Sequence, residues 1–107
     1  MNVEKIEAGF ELAKANPELH SQAGWASKTP CGTVMCLAGW IAVADGWNVS
    51  SDGFAWKPRK VTEFVATIAE RISELTENQA TDLFVMSADD DMPTLERRWA
   101  RMKRDAE

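Results

Sequence analysis

The chain has no tyrosine, a single histidine and two cysteines among its 107 residues. Two thiols are too few for a disulfide framework, so an apolar core has to hold a domain of this size. His20, Cys31 and Cys36 fall one short of the four Cys or His ligands that a tetrahedral zinc site usually draws, and the Cys-x4-Cys spacing sits at the edge of its usual pattern. A carboxylate such as Glu18 would have to complete the shell. These three are the only metal candidates, and neither a metal nor any other cofactor is expected. A thiol enzyme would draw on the same residues, with Cys31 ahead of a helix start and His20 as base. No motif fixes their mutual geometry, and the expectation is a protein that is not an enzyme.

Other absences narrow the setting. The start of the chain shows no basic stretch followed by an apolar run, and the uncharged run from Val34 to Ala44 is far shorter than the roughly 20 residues that span a bilayer. A cytoplasmic protein with reduced thiols and no membrane partner is therefore expected. Acidic residues outnumber basic ones for a net charge of −5, which disfavours generic polyanion binding. The basic residues gather in two places, Lys57, Arg59 and Lys60, then Arg97, Arg98, Arg101, Lys103 and Arg104, and both read as solvated faces. Residues 75–104 superficially resemble a helix-turn-helix. Asp89, Asp90 and Asp91 would then meet DNA at the start of the second helix, where carboxylates repel phosphate. Those acids do not make a calcium loop either, which needs Gly at its sixth position and Glu at its twelfth; ahead of a helix they complement its dipole.

What is present is a pattern of helices. With 45% hydrophobic residues, one domain over 1–107 can bury a core. Val3, Ile6, Phe10 and Ala13 predict an amphipathic helix over about 3–15, ended by Pro17, with a short turn restarting at Asn16-Pro17-Glu18. Breaker-rich residues 21–32 read as loop. From Thr33, as cap, an apolar stretch runs to Asp45-Gly46 and predicts a helix over about 33–45 with no polar stripe, which belongs at the centre of the domain. Gly39 inside it implies close approach of a neighbour. Asp52-Gly53 allows a short β-hairpin at about 47–57, with irregular loop as the other reading. Val61, Phe64, Val65, Ile68, Ala69, Ile72 and Leu75 form a helical stripe, Thr76-x-x-Gln79 is a capping box, and Leu95, Trp99 and Met102 mark a last helix restarting at Pro93. The expected fold is mainly α, a single-domain bundle of four to five helices around the central apolar one.

Five tryptophans are many for so short a chain. Trp40 and Trp99 lie on buried stripes, whereas Trp25, Trp47 and Trp56 fall in or beside loops, where a large ring covers the core's rim or anchors a partner.

Asn16-Pro17-Glu18, Gln22 and Trp25, the run Cys31-Gly32-Thr33-x-x-Cys36-Leu37-Ala38-Gly39-Trp40, and Leu75-Thr76-x-x-Gln79-Ala80-x-x-Leu83-Phe84 resemble a family of small actinobacterial and actinobacteriophage (mycobacteriophage-like) proteins. The resemblance covers about residues 10–86. Members often carry Gly before the Leu-Thr turn and an Asn-containing turn after Leu-Phe, where this chain has Glu74 and Ser87-Ala88-Asp89. The resemblance implies a phage or actinobacterial cytoplasmic origin and brings no activity with it. By elimination, the expectation is a small interaction protein that binds a host or partner protein, with Trp25, Trp47, Trp56, Arg97, Arg98 and Arg101 as contact candidates. The alternatives are nucleic-acid binding through the basic C-terminal helix and a metal or thiol site at His20, Cys31 and Cys36.

Overall fold

The computed structural model describes residues 1–20, 26–29, 32–85 and 91–106. Helix α1 (Val3–Ala15) starts where the Asn2 side chain accepts a bond from the Lys5 amide, and a single 3-10 turn, Pro17–Leu19, follows it. Strands β1 (Ala26–Thr29) and β2 (Gly32–Met35) pair antiparallel and lead into α2 (Leu37–Ala44). A three-stranded antiparallel sheet comes next, with β3 (Asn48–Val49), β4 (Phe54–Trp56) and β5 (Glu63–Phe64) in that order. Helices α3 (Val65–Ser73), α4 (Glu77–Ala80), a π turn at Thr81–Val85, and α5 (Met92–Ala106) complete the described chain. The fold is mainly α with small antiparallel sheets.

Several expectations hold. The 3-10 turn stands at Pro17, both bonds of the Thr76–Gln79 capping box are made, and Gly46 takes the left-handed conformation after α2. Two boundaries differ. The central helix begins at Leu37 rather than near residue 33, because residues 32–35 pair as a strand with 26–29, inside the segment read as loop. Thr33 therefore caps no helix. The stripe from Val61 is the other: α3 begins only at Val65, and β5 occupies the preceding turn's worth of sequence.

Helix α2 still behaves as the centre. Leu37, Ala38 and Ile41 enter one cluster with Ile6, Phe10, Leu83, Leu95 and Trp99. Ala42 faces a second with Ala55, Val65 and Ile68, and Trp40 a third with Ala13 and Met35. A helix whose sides meet three separate apolar clusters has no use for a polar stripe. Val43 is half-buried at the margin of the third cluster. The neighbour implied by Gly39 is Met35, whose side chain would lie 2.7 Å from a Cβ there.

At the end of α3 the chain turns through Glu74 with φ 53° and ψ 37°, the left-handed region. A side chain there costs roughly 1 kcal/mol that glycine avoids. Glu74 offsets little of it through an exposed contact of 3.3 Å with the Asn2 amide. The Glu74→Gly variant is expected to be more stable by about 1 kcal/mol, read as a higher urea midpoint at unchanged slope; a lower midpoint would mean that the Asn2 contact outweighs the backbone strain.

Candidate docking surface

The three-stranded sheet is set by its first turn. Gly53, with φ 85°, closes the turn from Ser50, and the Val65 amide donates to the Gly53 carbonyl at 2.8 Å, which fastens the start of α3 to the same corner. Alternation along β4 then decides which side chains go in. Ala55 is buried against Val65 and Ile68, so Phe54 and Trp56 point to the opposite face. Phe64 lies across from Phe54 in the register, and the two rings stack with centroids 4.7 Å apart and planes at 22°. Three aromatic side chains thus share the outer face of a very small sheet. Trp56 is 46% exposed, Phe64 62% and the nearby Val61 77%.

Charges around this face divide into paired and unpaired. Asp45 meets Lys5 at 2.6 Å and Lys57 at 3.7 Å. Partial burial pushes the Asp45 carboxyl up, but Lys5 and Lys57 outweigh it and hold the group below the usual carboxylate value. Glu63 takes a two-pronged bond from Arg71, 2.8 Å on each side, which likewise keeps it low. Arg59 and Lys60, in the loop joining β4 to β5, have no carboxylate partner among the described residues. Beneath that loop a groove of about 430 Å³ runs between Trp47, Ile68 and Ile72.

The expected contact residues separate into distinct places. Trp56 is on the outer face. Trp47 is half-buried on the Ala42–Ile68 cluster with the Lys57 ammonium 5.2 Å from its ring, so it forms the groove floor and not a free anchor. Arg97, Arg98 and Arg101 lie on α5 beside a separate hollow. Trp99 does not offer them an exposed edge: it is buried, stacks on Phe10 at 6.2 Å, and is covered by Lys103, which bonds Glu7 at 3.0 Å. Trp25 lies outside the described residues.

The thiol candidates fare differently. Because the helix begins at Leu37, it is Cys36 and not Cys31 that stands at its N-terminus. Burial pushes the Cys36 thiol up, more than the amides of Gly39 and Ala38 pull it down, so it stays protonated at neutral pH. His20 is half-buried and its backbone bridges to Met35. Cys31 is outside the described residues. Among the described residues no three His, Cys, Asp or Glu side chains group so as to hold a metal ion, and no helix is long and apolar enough to cross a membrane.

No protein family, curated protein or solved structure that we compared matches the chain.

Phe64 and Val61 are the surface residues that sequence reasoning placed wrongly, inside the α3 stripe. Their spacing to Val65 and Ile68 satisfies a helix, and Val61-Thr62-Glu63-Phe64 has no period-2 alternation that would have marked a third strand.

Proposed function

We propose that the protein is a non-enzymatic binding module, phage-encoded or phage-derived, that docks a partner protein in the host cytoplasm through the outer face of the three-stranded sheet. The observation that carries this reading is the exposure of Trp56 and Phe64 beside Phe54. Covering one large apolar side chain is worth about 1.5–3 kcal/mol, and aromatic residues dominate interface anchors. The stack of Phe64 on Phe54 fixes one ring in advance, so less side-chain entropy is lost on binding. Arg59 and Lys60 supply a cationic rim for an acidic, apolar segment of the partner. The family resemblance around Cys31–Trp40 supports the phage setting.

Affinity capture from an actinobacterial lysate tests this with the wild type and the Trp56→Ser, Phe64→Ser double variant. Both side chains face water, so the variant should keep its helical circular dichroism and thermal transition. A protein retained by the wild type and released by the variant is the expected result. Identical retained proteins in both would overturn the assignment of this face.

A further inference from the structure

Among the described residues, Lys14 meets Glu11 and Glu96, Arg71 meets Glu63, Lys103 meets Glu7, and Lys5 and Lys57 share Asp45. The side of α5 away from Lys103 differs. Thr94, Arg97, Arg101 and Arg104 recur at intervals of three and four, which sets them on one side of the helix, and with Arg98 they line a hollow of about 320 Å³. Arg97 donates to the Thr94 hydroxyl at 3.0 Å. Neither it nor Arg101 nor Arg104 has a carboxylate partner, and no carboxylate lines the hollow among the described residues.

Of the acids near this run in the sequence, Glu96 is turned elsewhere and Asp91 acts as a cap. Glu96 reaches toward Lys14 on α1 at 3.8 Å, and Asp91 accepts the Thr94 amide at 3.0 Å as the cap of α5. What is left is a side of four arginines, with Asp91 at its start, where Arg97 helps to lower the carboxyl, and Asp105 at its end, four residues beyond Arg101. Like charges three and four apart destabilise a helix, so the stripe carries an electrostatic cost that a bound anion removes.

We infer that this face of α5 binds the phosphate backbone of nucleic acid without reading its bases. The inference goes beyond the docking role proposed for the sheet and uses none of its residues. Guanidinium forks match phosphate oxygens two at a time, which ammonium groups do not, and all four cations here are arginine. Four of the five carboxylate-paired cations named above are lysine. No aromatic ring lines the hollow among the described residues, so stacking on bases has no platform there. The rise from Arg97 to Arg104 is about 10 Å at 1.5 Å per residue, which spans about three nucleotides of a duplex strand at 3.4 Å each. Three unpaired arginines therefore meet about three phosphates. The excess of acid over the whole chain opposes long-range steering, so binding belongs to low ionic strength.

Fluorescence anisotropy with a short labelled duplex tests this on the full chain between about 50 and 200 mM salt. The wild type should bind at the low end with a slope of about −2.7 in log K against log salt, the value for three phosphates. Arg101→Ala with Arg104→Ala should cost at least about tenfold in affinity and bring the slope to about −0.9. Arg59→Ala with Lys60→Ala changes net charge equally and should leave both within about twofold of the wild type. Absence of binding at low salt overturns the inference. So does an equal loss in the two double variants, which would make the effect one of overall charge. Equal affinity for poly-glutamate would assign the face to an acidic polypeptide, and more than about tenfold discrimination between two duplex sequences would contradict backbone-only contact.

Discussion

Replacing Ile41 with alanine lowers the free energy of unfolding by about 3–5 kcal/mol, the upper part of the range for truncating a buried aliphatic side chain. Ile41 is 0% exposed and sits where α2 faces α1 in the largest cluster. The cost of such a truncation depends on how far the surroundings collapse into the space left behind. Collapse is limited here, because a Cβ built on Gly9 of α1 would already lie 2.9 Å from the backbone N and Cα of Ile41. The two helices are at backbone contact, so α1 cannot move closer to fill the cavity. Urea denaturation reads the result, and a loss below about 1.5 kcal/mol would show that the site closes after all. Against a total stability of about 5–15 kcal/mol for a typical domain, the expected loss would leave a measurable unfolded fraction.

What the sequence disclosed of this fold was local chemistry. Asn16-Pro17, the Thr76–Gln79 box and the Asp52-Gly53 turn each act within a few residues, and each stands where its chemistry puts it. The two boundary errors have a common cause in pairing between segments. Thr33-Val34-Met35 continues the apolar run of α2 without a break, and only pairing with 26–29 makes it a strand. Val61 and Phe64 extend the α3 stripe at correct helical spacing, and only the partner strand β4 takes Phe64 out of it. Pairing across a sheet is a tertiary effect that periodicity along one segment does not contain. The candidate surfaces follow the same division. Trp56 could be suspected from its place beside a turn, whereas the exposure of Phe64 required the third strand. On α5 both the arginine spacing and the place of Glu96 on another side of the helix were visible in the sequence.

Gly9→Ala is expected to destabilise the protein by about 2 kcal/mol or more, although it adds the best helix former to the interior of α1. On an exposed helix the change would gain about 1 kcal/mol. The new Cβ instead meets the N and Cα of Ile41 at 2.9 Å, as well as its side chain. Flexible side chains turn aside at small cost, but backbone atoms within α2 move only if the helix moves. Separating α1 from α2 would loosen Ile6 and Phe10 from Leu37 and Ile41 together, which places the overpacking cost at the upper end of about 1–3 kcal/mol or beyond. Combining the change with Ile41→Ala distinguishes the two obstacles. Because the Ile41 backbone stays in place, the double variant should be less stable than Ile41→Ala alone, by chemical denaturation with a two-state fit. Should the double variant match the single Ile41→Ala variant, the obstacle would be the side chain only, and the helices would have room to absorb a methyl group at their crossing.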